Sequence, residues 1–468
     1  MDNREPGINR AAHRHGHTLR REVPRLAHAR WEPSKRTHDP IDLLLETEAD
    51  RLPRLIPDRR KAMAKSAYAY LRGSAASMAA DVATGPLTGI CVQASGDCHL
   101  NNFGFFASPE RRLLFDITDF DETAFAGWEF DLKRLVVSVV PKGRELGCGK
   151  PRQRALAMEA TRAYVEGIHN AAKKAPVEAW YTAYDEDAFI REAPPRSGVA
   201  ARRIDFIDEM RRKTGSSMIE KLVVGDGRRM RFKAKKGKIE PLHAADPLRE
   251  EFQAVLERYP RSLAPDRQLL FSRYELVDIA LKVVGVGSIG SRCGIALYRT
   301  TAGEPLVLQV KEAKRSVLER FTEAEAMPSR AAFDERVGAH AGRRVVQGQR
   351  LMQAASDMFL GWASGLEERQ YYVRQLSDMK ESLPEEEWTK HRITNIASLC
   401  GKVLARAHAK VTDVAELAGY LGDGMTISEA MARFAKAYAD QVTRDFELFR
   451  AGENSGRLPM PAPGPKEV

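Results

Sequence analysis

The sequence predicts an α+β fold with two lobes, one helical and one rich in strands. Apolar runs of strand length occur at 89–92 and 113–117, and several more lie within 274–376, separated by glycine-rich turns. The segments 128–140 and 388–411 instead carry apolar residues at helical spacing. With 468 residues the chain has the length for two or three domains or lobes with an ample core.

Polar clusters follow the first two strand-like runs. One reads GDCHLNN at 96–102, and the other reads DFDE at 119–122. A carboxylate beside a buried strand is costly unless a cation or several donors meet it, so such clusters usually hold a metal or transfer protons. The competing hypothesis is that these acids only cap turns and helix starts.

A glycine-rich segment lies among the later strand-like runs. It contains Gly285, Gly287, Ser288 and Gly290. The pattern G-x-G-x-x-G is weak evidence alone, because it also marks dinucleotide-binding folds, where it opens a helix. Here an early glycine and strand-forming residues follow at 291–298, which predicts a strand, a loop and a second strand. Lys311 ends the next apolar run; by itself it would be interpreted as a surface lysine.

The spacing of these residues resembles the protein kinase-like fold, and the polar clusters resemble its aminoglycoside-phosphotransferase branch. Asp97 and Asn102 stand five residues apart, as in a kinase catalytic loop, and Asp119 with the following Phe resembles the metal-binding Asp-Phe. The resemblance implies a base at Asp97, Mg²⁺ ligands at Asn102 and Asp119, and a phosphate-binding lysine at Lys311. Residues 285–290 would then cover the phosphates of ATP.

Several further residues are assigned supporting roles. Asp121 is expected to be a further metal ligand or a supporting group, His99 to brace the loop, and Gln375 to bind the nucleotide near the hinge, where adenine would sit. A kinase lysine usually pairs with a glutamate on the next helix, and the candidates here are Glu335 and Gln349. The sequence leaves that choice open.

The order of these parts is the reverse of that in an ordinary kinase, where the glycine-rich loop precedes the catalytic loop. The parts agree if the chain is circularly permuted, which is tolerated because domain termini are often adjacent. The predicted organisation is a basic flexible segment at 1–38, a helical catalytic lobe at 39–265, a small β-rich nucleotide-binding lobe at 266–382, the rest of the helical lobe at 383–451 and a disordered tail at 452–468.

Nearly the whole chain, from about Leu19 to about Ala451, also resembles a bacterial family catalogued as domain of unknown function 2252. The motifs that carry this resemblance include 70–73, 96–104, 115–134, 285–290, 308–313, 344–362 and 372–380. Thr118 departs from the asparagine expected in that family, and 125–127 replaces a turn that contains proline. The resemblance implies that the chain is one unit and implies little about activity.

Charge, hydropathy and cysteine content indicate which partners and which cellular compartment the sequence favours. The net charge is +10, but the basic residues are dispersed and no nucleic-acid motif accompanies them, so nucleic acid is not favoured as a partner. No apolar run approaches the ~18 residues of a membrane span. Five scattered cysteines without C-x-x-C spacing fit a reducing, cytoplasmic compartment.

The sequence therefore predicts a phosphotransferase that uses ATP and Mg²⁺ and acts on an unidentified hydroxyl acceptor. A small molecule, a lipid head group and a protein all stay open as acceptors. The alternatives are a nucleotide-binding pseudoenzyme or regulatory module, a nucleotidyltransferase, and a metal-dependent hydrolase. The hydrolase is disfavoured because His99 is the only histidine in the polar clusters, and a zinc site usually needs more nitrogen or sulfur ligands.

Overall fold

The computed structural model describes residues 9–191, 198–212, 215–225, 230–283, 285, 287–321, 339–376, 381–383 and 387–459. These residues form a mixed α+β structure, in which one six-stranded sheet accompanies several smaller sheets. The α+β class predicted from the sequence is confirmed. No helix within these ranges is both long and apolar enough to cross a bilayer.

The helices and strands are numbered here in the order in which they occur along the chain. The helices are α1 (Arg10–Glu22), α2 (Pro40–Glu48), α3 (Ile56–Met63), α4 (Ala67–Gly73), α5 (Ala75–Ala83), α6 (Trp128–Glu145), α7 (Lys150–Ala172), α8 (Pro176–Tyr181), α9 (Glu186–Arg191), α10 (Val199–Arg212), α11 (Gly215–Leu222), α12 (Pro247–Arg258), α13 (Pro265–Phe271), α14 (Val317–Phe321), α15 (Ala341–Met352), α16 (Ile393–Ala409), α17 (Val414–Leu421) and α18 (Met425–Ser455). The strands are β1 (Cys91–Ala94), β2 (Phe103–Ala107), β3 (Leu113–Ile117), β4 (Ala124–Gly127), β5 (Val223–Val224), β6 (Arg231–Phe232), β7 (Ile239–Pro241), β8 (Glu275–Lys282), β9 (Cys293–Arg299), β10 (Pro305–Glu312), β11 (Gly361–Ser364), β12 (Gln370–Gln375) and β13 (Glu381–Ser382).

The large sheet is antiparallel and has the order β11-β12-β10-β9-β8-β7. Five of its strands lie within the predicted β-rich segment, and β7 adds a sixth at one edge. Because side chains alternate across a strand, β10 turns Leu308 and Val310 to one face and Lys311 to the other. Leu308 and Val310 share a core cluster with Phe252 and Val255 of α12. Helix α12 therefore covers one face of the sheet, and Lys311 lies on the opposite face.

The helical core combines segments from both sides of the sheet in sequence. Helix α7 packs along α16, and both contribute to one cluster with α6 and α18. Gly401 of α16 lies so close to α7 that a Cβ there would overlap the carbonyl oxygen of Ala160. The segments that precede and follow the sheet thus share a single core.

The N-terminal residues are packed on this core. The described part of the predicted flexible segment contains α1, and Arg20 Nε donates to Tyr420 O at 3.0 Å. His28 is buried and lies 2.7 Å from the hydroxyl of Tyr420. At the other end, α18 extends to Ser455 and Leu458 is buried, while residues 460–468 of the predicted tail lie outside the described ranges.

Substituting Gly401 tests the close approach of α7 and α16. We expect Gly401→Ala to lower the free energy of unfolding by about 1–3 kcal/mol, because the added methyl group forces the helices apart. Gly452→Ala in α18 is the matched control, since a Cβ there would lie 3.4 Å from Leu458, an ordinary contact. Alanine should raise helix stability by up to about 1 kcal/mol at that site. Chemical denaturation measures the free energy of unfolding of both variants. Equal values for the two variants would contradict the close packing of α7 against α16.

Candidate functional site

The loop that carries Asp97 leaves β1 and turns sharply. Strand β1 pairs antiparallel with β4, so the residues after β1 and those before β4 lie side by side. Gly96 has a φ of +83°, which residues with a Cβ rarely adopt. A Cβ there would also overlap the carbonyl oxygen of Glu122. The glycine therefore allows the two polar clusters to touch.

Asp131, in the first turn of α6, holds the backbone of this loop. Its carboxylate accepts from Ser95 N at 2.7 Å and from Gly96 N at 2.9 Å. His408 Nε2 lies 3.2 Å from the same carboxylate, and His408 Nδ1 lies 2.8 Å from the hydroxyl of Tyr164. His408 is therefore a packed helix residue that positions Asp131.

The side chains of Arg134 and His99 lie next to the carboxylate of Asp97. Arg134 Nε donates to Asp97 Oδ1 at 2.8 Å, and His99 Nε2 lies 3.7 Å from Asp97 Oδ2. Burial lowers the pKa of His99 to about 4, so its imidazole is neutral near pH 7. Asn102 Nδ2 donates to the carbonyl oxygen of Asp97 at 2.7 Å, so its Oδ1 is the side-chain atom left to accept a ligand.

The second cluster is joined to the large sheet through Asp121. Asp121 N donates to Asp119 Oδ1 at 3.3 Å. The carboxylate of Asp121 accepts from the hydroxyl of Tyr372 at 2.8 Å and from Ser288 Oγ at 3.4 Å. It also contacts the ammonium group of Lys311. Both oxygens of Asp121 therefore have protein partners.

Lys311 is buried and takes Asp121 as its carboxylate partner. Burial alone would lower the pKa of Lys311, but the charge of Asp121 outweighs it and raises the pKa above its ordinary value. Of the two predicted partners, Glu335 lies outside the described residues, and Gln349 donates to a glutamine one turn later at 2.9 Å. Helix α15 instead contributes Arg344, whose Nη2 donates to Asp121 O at 2.9 Å.

One cavity brings much of the predicted site together. Of the predicted residues, it is lined by Asp97, Asp119, Asp121, Gly287 and Ser288. His99, Asn102 and Lys311 lie behind this lining, each near or in contact with one of its residues. Residues that stand about 190 positions apart in sequence, such as Asp97 and Ser288, therefore face one space.

The glycine-rich loop lies between β8 and β9, which pair antiparallel as the sequence predicts, and residues 287–290 form a turn. Ser288 N donates to Gly285 O at 2.8 Å. Gly290 has a φ of +90°, and its carbonyl oxygen accepts from Leu52 N at 2.7 Å. Val286 lies outside the described residues. The loop thus contacts the segment between α2 and α3.

Three arginines from the segment 51–72 line the same cavity, and the sequence did not group them. Arg51 Nη1 donates to Ile289 O at 2.7 Å, and Arg59 Nη1 pairs with Glu48 at 2.9 Å. Within the described ranges no carboxylate pairs with Arg51 or Arg72, and Nε of Arg72 is buried without a hydrogen bond. Charged residues within a helical pattern normally indicate a solvated face, so the sequence carries little signal for them.

Glu122 is a further acid in this lining to which the sequence assigned no role. Its Oε2 accepts from Val317 N at 2.7 Å. Desolvation raises the pKa of Glu122 to about 7, so it holds a proton in part near neutrality. A protonated carboxyl adds no charge to the cavity, which leaves the acidic character to Asp97, Asp119 and Asp121.

Gln375 lines a different, neighbouring cavity. Its lining includes Phe106, Thr118, Gln353, Met358, Arg374 and Gln375. Arg374 Nη1 donates to Thr118 O at 3.4 Å, and Arg374 Nε donates to Gln309 Oε1 at 2.9 Å. Because Thr118 directly precedes Asp119, the two cavities border the same short segment.

The predicted metal ligands offer oxygen atoms only. In the part of the chain that the structure describes, no group of three or more His, Cys, Asp or Glu side chains is placed to hold a metal ion. Mg²⁺ is commonly bound by one or two carboxylates together with phosphates and water. Asp119 and the Oδ1 of Asn102 fit that donor set better than the set for zinc.

A family model described as "Uncharacterized protein conserved in bacteria (DUF2252)" matches residues 51–452. The chain belongs to this family. That part of the sequence-based interpretation is confirmed, and the DUF2252 match includes both polar clusters, the glycine-rich loop and Lys311. No curated protein and no solved structure matches the chain.

The contact between Asp131 and the loop is tested by Asp131→Asn. An amide replaces one acceptor oxygen with a donor that faces backbone N–H groups, so we expect the free energy of unfolding to fall by about 3–5 kcal/mol. Asp440→Asn is the control, since Asp440 pairs with Arg144 at the surface with its side chain 39% exposed, and such pairs contribute about 0–1 kcal/mol. Urea denaturation compares them. A loss for Asp131→Asn no larger than for the control would show that the loop does not depend on this carboxylate.

Proposed function

We propose that this protein is a phosphotransferase that uses ATP and Mg²⁺, with a kinase-like fold in circularly permuted order. The observation that carries the proposal is the shared cavity of Asp97, Asp119 and Ser288, with Lys311 directly behind it. Three sequence motifs that were identified separately converge there. A set of acids that only capped turns would not be expected to meet a glycine-rich loop and a buried lysine.

The order of elements supports the kinase-like interpretation. Strands β8 and β9 flank the glycine-rich loop, β10 carries Lys311, and α15, β11 and β12 follow. The shared core of α7 and α16 supports the permutation, because it joins the two segments on either side of the sheet. The departure from the kinase pattern is the partner of the lysine, which is Asp121 here.

Each side chain has a chemical role in this proposal. Asp97, held by Arg134, would orient the acceptor hydroxyl and take its proton. Asn102 and Asp119 would hold Mg²⁺, which when bound neutralises charge on the phosphates. Lys311 and the glycine-rich loop would contact phosphate oxygens, with Ser288 Oγ as one donor.

The arginines of the cavity favour a phosphorylated ligand. Neither Arg51 nor Arg72 is paired with a carboxylate among the described residues, yet both line the cavity. Guanidinium groups bind phosphate strongly, with geometry that suits its oxygens. The cavity lining thus holds two guanidinium groups for phosphates together with Asp119 for a metal.

Metal-dependent nucleotide binding is the first test. Mg-ATP should stabilise the protein in a thermal-shift series, by about 2.7 kcal/mol at one hundred times its Kd, and EDTA should abolish the effect. Asp119→Asn should weaken it and raise the Mg²⁺ requirement. Asp185→Asn, at a surface ion pair with Arg112, is the control and should bind as the parent does. Equal stabilisation with and without metal would contradict the site.

Asp97→Asn separates binding from chemistry. The variant should keep Mg-ATP binding, because Asp97 is assigned to the acceptor, while turnover falls about 10²–10⁴-fold. The measurement is nucleotide affinity by calorimetry and transfer of labelled phosphate from ATP to a pool of metabolites. If Asp97→Asn lost metal-dependent binding while Asp119→Asn kept it, the two roles would be reversed. Binding of Mg-ATP by the parent without any turnover would favour the pseudoenzyme.

A further inference from the structure

A third cavity lies between the N-terminal segment, the end of α5, and helices α6 and α18. Its lining includes Trp31, Asp81, Gly85, Pro86, Lys133 and Phe434. It shares no lining residue with the two cavities described above. The proposed phosphotransfer makes no use of it.

Lys133 is the unusual group in this lining. Its side chain has 0% exposure, and its Nζ lies 4.6 Å from the ring centroid of Phe434. Within the described ranges no hydrogen bond or ion pair reaches this ammonium group. Burial lowers the pKa of Lys133 to about 8. A buried charge normally has a hydrogen-bond or ion-pair partner, and no such acceptor contacts the Lys133 ammonium group among the described residues.

Glu129, one turn earlier on α6, does not supply that acceptor. No ion pair within 4.0 Å joins it to Lys133. Its Oε1 instead accepts from Thr88 N and Thr88 Oγ1, both at 2.7 Å. Burial raises the pKa of Glu129, and the charge of Lys133 opposes that shift.

The acids of the cavity itself are already paired. Asp81 forms an ion pair with Arg36 and accepts from the hydroxyl of Tyr438 at 2.7 Å. Glu32, at the rim, pairs with Lys35 at 3.1 Å. No acid of this lining is therefore in hydrogen-bond or ion-pair contact with Lys133, and the cavity favours an anion over a cation.

Aromatic rings form part of the wall near this charge. Phe434 stacks on Tyr438 with 5.5 Å between centroids, and Trp31 meets Tyr438 edge-on at 5.0 Å. The indole Nε1 of Trp31 is buried without a hydrogen-bond partner among the described residues. The lining thus combines the cations Arg30, Lys35 and Lys133 with an apolar surface, and Trp31 adds an unsatisfied N–H group.

We propose that this cavity binds a small organic anion, with a carboxylate or phosphate group on Lys133 and an apolar body against Trp31 and Phe434. The inference does not rest on the proposed phosphotransfer, because no residue of the first cavity takes part. Lys133 is followed by Arg134, which holds Asp97, so a ligand here would bind to the same helix that positions the catalytic loop.

The probes are benzoate and phenyl phosphate, with neutral benzamide as the matched control. Calorimetry with the full chain should show binding of at least one anion at millimolar concentration and weaker binding of benzamide. The two anions distinguish a carboxylate from a phosphate head group. Binding should also shift the indole N–H resonance of Trp31, which Trp31→Phe assigns among the five tryptophans.

Lys133→Met removes the charge and keeps the length of the side chain. We expect anion binding to weaken about tenfold or more, since hydrogen bonds to charged groups are the strong ones. Lys142→Met is the control on the same helix, because Lys142 pairs with Glu145 at 3.3 Å and does not line the cavity. The fold should tolerate Lys133→Met, because replacing a buried unpaired charge by an apolar group is often neutral or stabilising.

A measurement on the unsubstituted protein covers the case in which Lys133→Met fails to fold. In protein with ¹³C-labelled lysine, a bound anion should raise the pKa of Lys133 relative to the free protein. The proposal is overturned if neither anion binds, if benzamide binds as tightly, if Lys133→Met binds as the parent does, or if the pKa of Lys133 does not move at saturation. The cavity would then hold water only.

Discussion

One buried carboxylate, that of Asp131, holds the start of the loop at 95–102. Irregular backbone that is removed from water needs partners for its N–H groups, and neither a strand nor a helix provides them here. Asp131 gives one oxygen to Ser95 N and the other to Gly96 N, and His408 lies against it from α16. Because α6 precedes the large sheet in sequence and α16 follows it, the position of Asp97 depends on how these two helices pack. The site is therefore built on the centre of the helical core.

The contact between the sheet and the loops of the helical core is polar. Lys311 and Tyr372 extend from neighbouring strands of the sheet to Asp121, and Ser288 of the glycine-rich loop joins them. A buried ion pair contributes little net stability, but removal of one partner is costly. Phosphate oxygens offer Lys311 and Ser288 the same kind of acceptor that Asp121 offers. In an exchange of Asp121 for phosphate, Asp121 would keep the hydroxyl of Tyr372 as a partner.

The sequence predicted the local features of this molecule well and its long-range pairings poorly. The strand at 113–117 and the strands around the glycine-rich loop follow from short apolar runs with turn residues, and the structure has them. The pairing of Lys311 with Asp121 joins residues 190 positions apart, and no periodic pattern encodes such a contact. Arg51 lies among charged residues of the kind that usually face solvent, although it lines the cavity. Strand β7, with three residues, is too short to stand out from its basic surroundings.

The residues ahead of the family match have a bearing on where the folding unit begins. The match starts at residue 51, yet Arg36 lies between Asp81 of α5 and Asp445 of α18, and its side chain is only 9% exposed. A shortened chain that began at residue 51 would lack Arg36, so the carboxylates of Asp81 and Asp445 would lose this cation. It would also lack His28, which contacts the hydroxyl of Tyr420. Ionised groups in that position attract water or protons and loosen the helices around them. The residues that pack on the helical core therefore extend beyond the boundary of sequence similarity.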